Sequence, residues 1–288
     1  MYSGLMTYDN FEHPELSSNK IVKIVFTSFS KKLFYFRAQI SAFVLIKNCA
    51  PFNPYMNFDY NLSGTVDKRH IRIANNTMIG RADELWVFGD VSDGVLTEIY
   101  MARKSNKKIR FFIPNEKVTL FQEISIDEVK LEDVSAWMWE YVLKNQNLER
   151  WHPRLRFNST YPLLYPAYSK KNFYWQMHIS KFCIEKRYVP LNPFMLFRYF
   201  LSDMIDRDKI YQANAAFVKI SDQLWTFGEI SNGVAAEFLL ATKNKIATKN
   251  YKITDKKPDY VKFQKISTKG LEFEEKDLAK LFASNYIC

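Results

Sequence analysis

Apolar and polar positions along the chain predict a series of alternating strands and helices that runs through twice. Continuous apolar runs predict strands buried on both faces of a sheet, and apolar residues at helical spacing predict amphipathic helices. In order, the first series predicts a strand at 21–26, a helix at 34–47, a short strand ending at Asn53-Pro54, a helix at 66–81, a strand at 85–88, a helix after Gly94 and a strand at 108–113.

The second series is a copy of the first, displaced by 139 residues (169 − 30). The displacement takes Ser30 to Ser169 and Glu98 to Glu237 without a gap. A period of this length indicates tandem domains rather than a solenoid. The order of elements predicts an α/β protein: two tandem doubly wound, flavodoxin/Rossmann-like parallel-sheet domains that form a pseudo-dimer. The predicted bounds are 1–125, a helical connector at 126–158 with its helix at 127–144, and 159–288 with a short C-terminal helix.

Composition adds limits to this organisation. The formal net charge of +10 favours anionic partners, although no run of five basic residues occurs, and a merely solvated basic surface is the alternative. Three cysteines without CxxC spacing argue against a disulfide framework and a structural zinc site, so no metal or cofactor is expected. The absence of a signal-peptide pattern and of an apolar run of membrane-spanning length predicts a cytoplasmic protein without a membrane partner.

The loop after the central strand carries the candidate chemistry in both copies. Ser92, Gly94 and Glu98 recur as Ser231, Gly233 and Glu237, while neighbouring positions differ between the copies. Ligands of open α/β sheets bind at the carboxyl ends of the strands, where helix N-termini attract anions. This pattern predicts an anion-binding loop with a glutamate one turn into the helix. The alternative is a glutamate that only complements the helix dipole.

The segments ADELWVFGDVSDGVLTEIYMA and SDQLWTFGEISNGVAAEFLLA resemble the nucleoside 2-deoxyribosyltransferase-like superfamily. The resemblance covers residues 21–113 and 160–250 and implies a nucleotide substrate. It implies that Glu98 and Glu237 attack C1′ of a sugar and expel the base through a covalent glycosyl-enzyme. Transferases of the family carry Asp six positions before this Glu, whereas its monophosphate hydrolases carry Ser, as Ser92 and Ser231 are here. The resemblance therefore favours a hydrolase that contacts a 5′-phosphate.

One departure from the family concerns the proton for the leaving base. Asn75 and Asn214 stand where the family has an aspartate, and an amide hydrogen-bonds a base but cannot act as an acid. Asp67 and Asp206 are alternative proton donors. Another expectation is that Tyr35 or Tyr174 supplies the family's strand-one tyrosine.

The resemblance thus implies an N-glycosidase for nucleoside phosphates or NAD. It also implies a toxic effector of an antiphage, retron-type system, inhibited by a reverse transcriptase–DNA nucleoprotein. Because neighbouring subunits often complete sites in this family, a homo-oligomer is a further expectation. Two other classes stay open: a non-catalytic nucleotide sensor or sponge that uses the same clefts, and a scaffold that binds a nucleoprotein through its basic face.

Overall fold

The computed structural model describes residues 11–17, 22–59, 62, 64–115, 121–156, 159–257 and 259–280. The protein is α/β, as predicted, and has two mixed sheets of five strands. It divides into two compact units with one sheet each. The first-copy unit joins Ile21–Tyr161 to Met195–Ala213, and the second-copy unit joins Met1–Lys20, Pro162–Phe194 and Asn214–Cys288. The units are therefore not consecutive in the chain, unlike the predicted domains, whose bounds at 125 and 158 stay a prediction.

The first sheet has the strand order β2-β1-β3-β4-β5. Strands β1 to β4 are parallel neighbours in this order, and β5 runs antiparallel to β4. The prediction of an all-parallel sheet is therefore wrong at its edge. Only residues 115–120 lie between β4 and β5. A connection of this length is too short for a parallel crossover but suits an antiparallel hairpin. The strands are β1 Lys23–Phe29, β2 Cys49–Phe52, β3 Glu84–Phe88, β4 Lys108–Pro114 and β5 Phe121–Ile124.

The second sheet repeats this topology in the order β7-β6-β8-β9-β10, again with one antiparallel pair at the edge. Its hairpin is longer than that of the first sheet, because β9 has 11 residues and β4 has 7. The sequence pattern missed this hairpin, since charged residues interrupt its alternation. The strands are β6 Leu163–Tyr168, β7 Val189–Pro190, β8 Gln223–Phe227, β9 Ala247–Lys257 and β10 Tyr260–Ile266.

The helices begin and end close to the predicted bounds, with two exceptions. The predicted helices at 34–47 and 173–186 each start as a 3₁₀ helix, Lys31–Phe36 and Lys170–Trp175. The predicted connector helix is confined to α6, and 276–280 is helical near the C-terminus. The α-helices whose two ends lie within the described residues are α1 Pro14–Ser17, α2 Arg37–Ile46, α3 Pro54–Asn57, α4 Lys68–Arg81, α5 Asp93–Lys104, α6 Ala136–Leu143, α7 Gln176–Glu185, α8 Pro193–Leu196, α9 Arg198–Met204, α10 Arg207–Ile220 and α11 Asn232–Lys243.

Both units have an aromatic core built on one helical phenylalanine. Phe43 of α2 meets Trp86, Phe88 and Phe112 edge-on, at centroid distances of 5.4 to 6.1 Å. Phe182 of α7 occupies the same place against the second sheet, and its partners are Trp225, Phe227, Tyr251 and Phe263. Edge-on aromatic pairs add to the burial of large apolar surfaces. The repeat seen in the sequence is therefore also a repeat of the packing.

The repeat continues beyond the hairpins, which the sequence comparison did not detect. Val91 bridges Leu131 in the first copy, and Ile230 bridges Phe273 in the second. The displacement here is 142 (273 − 131), three residues more than before, because the second hairpin is longer. The segment after β5, predicted to be a connector, thus packs against the loop that follows β3 in the first-copy unit. It places Glu132 beside Lys32 in the first-copy unit.

Two glycines of the first-copy unit are expected to respond oppositely to alanine. Gly89 has φ +72°, and a Cβ there would lie 2.8 Å from Leu33 Cδ1. We expect Gly89→Ala to lower the free energy of unfolding by about 1–3 kcal/mol. Gly80 lies within α4 with open space around a Cβ, so Gly80→Ala should raise it by about 0.5–1 kcal/mol. Denaturant unfolding measures both, and equal effects would contradict the strained turn.

Candidate functional site

A cavity of about 450 Å³ opens in the first-copy unit beside the predicted loop. It lies where β1 ends at Phe29 and where the loop after β3 enters α5, at the carboxyl ends of two parallel strands. The cavity brings together four predicted residues, Ser92, Gly94, Asn75 and Glu98. The predicted location of the first site is therefore the location of a cavity.

Glu98 lies one turn into α5 and faces this cavity. Its carboxylate accepts a hydrogen bond from the hydroxyl of Ser28, a residue with no exposed surface on the central strand β1. Burial raises the pKa of Glu98 to about 7, although the Ser28 hydrogen bond and the positive charge of Arg154 act in the opposite direction. A carboxyl with such a pKa is half ionised near neutral pH and can serve as a nucleophile in part of the molecules.

Basic side chains line the cavity together with Glu98. Its lining includes four basic side chains, Lys31, Lys68, Arg72 and Arg154, and four acidic ones, Asp93, Glu98, Glu132 and Asp133. Lys32, next to Lys31, forms an ion pair with Glu132. The numbers of basic and acidic side chains around the cavity are therefore equal, and any preference for an anionic ligand depends on where the four cations lie rather than on a net charge.

Arg154 reaches the cavity from the segment after α6. Its Nη1 lies 3.2 Å from Asp93 Oδ2, and the same carboxylate accepts a bond from His152 Nε2 at 2.7 Å. Arg154 Nη1 would also lie 3.0 Å from a Cβ at position 94, so Gly94 leaves the guanidinium room at the start of α5. The cation is thereby held beside the helix N-terminus, where backbone N–H groups attract anions.

Ser92 and Asn75 have groups available to a ligand within the described part of the chain. Ser92 is the N-cap residue of α5 without a side-chain capping bond. Asn75 projects from α4, and its Oδ1 is buried without a hydrogen-bond partner among the described residues. A buried amide oxygen without a donor is costly, which a hydrogen-bonding ligand would relieve.

The corresponding site in the second-copy unit is arranged differently. Tyr165 on β6 donates to Glu237 Oε1 at 2.6 Å, two strand positions before the equivalent of Ser28. Asn214 Nδ2 donates to Glu237 Oε1 at 3.4 Å and to Glu15 Oε1 at 3.0 Å. Only 7% of Glu237 is exposed. Burial and the nearby Glu15 raise the pKa of Glu237 well above its usual range.

The remaining predicted residues have structural roles or open surroundings. Ser231 caps α11 by accepting from Val234 N at 3.4 Å, and Gly233 has open space around it. Asp67 and Asp206 accept from the backbone N–H groups of Arg69 and Asp208 as helix N-caps. Asp67 is absent from the residues that line the cavity, so the structure does not bring the predicted donor to Glu98.

The expected tyrosines are also misplaced. Tyr35 and Tyr174 are 82% and 84% exposed, because each lies on the outer side of a 3₁₀ turn. The tyrosine that contacts a candidate nucleophile is Tyr165. Its signal in the sequence is its position: it replaces Phe26 of the first copy in an otherwise apolar strand. No sequence pattern indicated Ser28, Arg154 or Glu15, since their positions in the sites depend on tertiary packing.

Among the described residues, no group of three or more His, Cys, Asp or Glu side chains is arranged to hold a metal ion. In the part of the chain that the structure describes, no helix combines the length and hydropathy needed to cross a membrane.

Comparison with known proteins identifies one domain family in the second copy. Residues 165–251 match the family model of a domain of unknown function, DUF7768. No curated protein and no solved structure matches the chain significantly. The matched segment begins in β6 and includes Glu237.

Proposed function

We propose that this protein is an N-glycosidase that cleaves the base–sugar bond of nucleotides in the first-copy cavity, with Glu98 as the nucleophile. The observation that supports this most is the setting of Glu98: a half-buried carboxyl held by Ser28 at one side of a cavity that four basic side chains also line. An enzyme that forms a glycosyl ester needs a fixed carboxylate beside a site for the substrate. The doubly wound, flavodoxin/Rossmann-like character of the two units belongs to this proposal.

The chemistry follows from the position of each group. The Glu98 carboxylate attacks C1′, the C1′–N bond breaks, and the base leaves with the bonding electrons. Water then attacks C1′ of the ester, the C1′–O bond to Glu98 breaks and regenerates its carboxylate, and the proton that the water loses passes through solvent to the departed base. The transition state is positively charged at the sugar, so an ionised Glu98 stabilises it.

The basic groups position the substrate in this account. A 5′-phosphate would lie at the start of α5, where Ser92 offers a hydroxyl and Arg154 a guanidinium. Charge-assisted hydrogen bonds from arginine to phosphate are stronger than neutral ones and favour phosphorylated substrates over free nucleosides. Asn75 Oδ1 would accept from an N–H group of the base. The substrate class that fits is therefore a nucleotide, with nucleoside phosphates and NAD as candidates.

A nucleotide sensor or sponge is the second candidate, favoured by one observation. Asn75 is an amide at the position where the resembling enzymes carry an acid, and Asp67 is occupied as a helix cap. A site of this kind could bind the nucleotide without protonating its base. The role of a toxic effector restrained by a reverse transcriptase–DNA nucleoprotein, a cytoplasmic location and a homo-oligomer or pseudo-dimer rest on the sequence and the resemblance, and stay proposals.

A substrate panel separates the two candidates. The full chain is incubated with nucleoside mono- and triphosphates, their deoxy forms, NAD and free nucleosides, and free base is measured by chromatography. The N-glycosidase is expected to release base from at least one phosphorylated compound. Binding by calorimetry without base release from any compound would favour the sponge instead.

The pH dependence of base release is expected to reflect Glu98. Because its pKa is about 7 and the ionised form is the nucleophile, kcat/KM should fall about tenfold per pH unit below pH 7. Ser28→Ala removes a hydrogen bond that favours the carboxylate, so the midpoint of this fall should move to higher pH. Thr27→Val is the matched control on the same strand, since Thr27 bonds the Phe52 carbonyl at 3.4 Å instead. An unchanged midpoint in Ser28→Ala would contradict the assigned nucleophile.

A further inference from the structure

The second cleft differs from the first in what covers its glutamate. Helix α1 packs against α11, the helix that carries Glu237, and both belong to the second-copy unit. Glu15 of α1 is only 3% exposed. In the first-copy unit, by contrast, Glu98 lines the open cavity. The chain's own N-terminal helix therefore lies where the first copy keeps space for a ligand.

Asn214 links the carboxyls of Glu15 and Glu237 through two hydrogen bonds. Asn214 Nδ2 donates one bond to Glu15 Oε1 at 3.0 Å and another to Glu237 Oε1 at 3.4 Å. Glu15 Oε2 and Asn214 Oδ1 are buried without a hydrogen-bond partner among the described residues. Two buried carboxyls that share one amide donor repel each other when both are ionised, and water cannot screen them there. The contact between Glu15, Asn214 and Glu237 is therefore stable only while the two carboxyls are not both ionised.

We infer that α1 is a strap that closes the second cleft through the Glu15–Asn214–Glu237 contact, so that access to Glu237 requires α1 to leave. The consequence for activity rests on the proposed function, whereas the closure itself does not. The first cleft then works in the closed state, and the second becomes available only after the strap opens.

The charges around the contact give the direction in which pH acts. Burial raises the pKa of Glu15 to about 7 and that of Glu237 well above its usual range. The other titratable groups that face them are His13, whose pKa burial lowers, and Tyr165 and Tyr168, whose pKa values burial raises far above the usual range. These three groups are neutral near pH 7, so none offsets the repulsion. The closure is therefore fully present at low pH and weakens as the pH rises through about 7.

Hydrogen exchange of the full chain, followed by mass spectrometry at pH 6 and pH 9, tests the strap without any substrate. After correction for intrinsic rates, amides of 11–17 and of α11 should exchange about tenfold faster or more at pH 9. Glu15→Gln keeps an acceptor for Asn214 but cannot ionise, so it should reduce this difference to the part that the burial of Glu237 contributes. Glu12→Gln, at an exposed position three residues before Glu15, is the control and should behave as wild type.

Three results would overturn the strap: equal protection of α11 at both pH values in the wild type, a pH effect of undiminished size in Glu15→Gln, or a loss of the effect in Glu12→Gln. A second readout uses base release in a Glu98→Gln background, where Glu15→Ala should increase release that depends on Glu237. A decrease there would mean that Glu15 takes part in the reaction, which contradicts a blocking role. Failure of the proposed function is distinguishable, because the wild-type chain would then release no base while the exchange pattern persists.

Discussion

Glu98→Gln is expected to lower kcat/KM for base release about 1000-fold or more. The substitution keeps the size of the side chain and its ability to accept from Ser28, but an amide does not form the glycosyl ester. Nucleotide binding should persist, because Lys31, Arg72 and Arg154 still surround the cavity. Steady-state kinetics together with calorimetric binding measure the two effects separately.

Glu237→Gln is the matched variant at the equivalent position of the second copy. It should change kcat/KM less than about twofold, since Glu237 is buried beneath α1 and contacts Glu15 through Asn214. If both variants lost activity to the same extent, the two clefts would depend on each other. The unequal roles assigned to them would then be wrong.

Arg154→Ala is expected to raise KM for phosphorylated substrates about 10- to 100-fold, which corresponds to the loss of one charge-assisted hydrogen bond of about 1.5–3 kcal/mol. The side chain is 44% exposed and is held by Asp93 at the start of α5, so its removal should cost little folding stability. The effect on kcat should be small, because the guanidinium binds phosphate equally in the ground state and in the transition state.

Two comparisons define the Arg154 experiment. Arg150→Ala removes a nearby cation that stacks on Trp151 at 5.4 Å and does not line the cavity, so KM should stay within about twofold. For free nucleosides, which have no phosphate, Arg154→Ala should change KM little. An equal rise in KM for nucleotides and nucleosides would indicate that Arg154 contacts the base or the sugar instead.

Much of the architecture follows from patterns local to the chain. The runs at Leu85–Phe88 and Leu224–Phe227 are apolar except for Thr226, a continuous pattern that indicates central strands. The gap-free repeat by itself establishes the correspondence of Glu98 with Glu237. The antiparallel edge strands were missed because Phe121–Ile124 is short and partly charged. The extended repeat after them was hidden by the three-residue difference between the hairpins.

The site was predictable only where its residues are close in sequence. Ser92, Gly94 and Glu98 lie within one loop and one helical turn, and the structure keeps them together. Arg154 follows Glu98 by 56 residues (154 − 98), and Glu15 precedes Glu237 by 222 (237 − 15), so no local spacing indicates these contacts. The aspartates at 67 and 206 are near helix starts in the sequence, and their side chains accept backbone N–H groups there as helix caps do in general, so their role as proton donors stays a prediction.

The difference between the two clefts is visible only when both copies are compared. A duplicated chain can keep one site open while the other evolves a different contact. Here the first copy has Ser28 and a cavity, and the second has Tyr165 and a buried carboxyl pair. The same fold therefore supports a catalytic proposal for one copy and a regulatory inference for the other.

The most direct test of the central claim is to trap the covalent intermediate. A 2-fluoro nucleotide analogue slows both glycosyl transfer steps, because fluorine destabilises the positively charged transition state. After incubation, the protein is digested and its peptides are analysed by mass spectrometry. The account predicts a sugar-phosphate adduct on the peptide that carries Glu98, and none on that peptide in Glu98→Gln. Base release by the wild type with no adduct on Glu98, or an adduct on Glu237 alone, would contradict it.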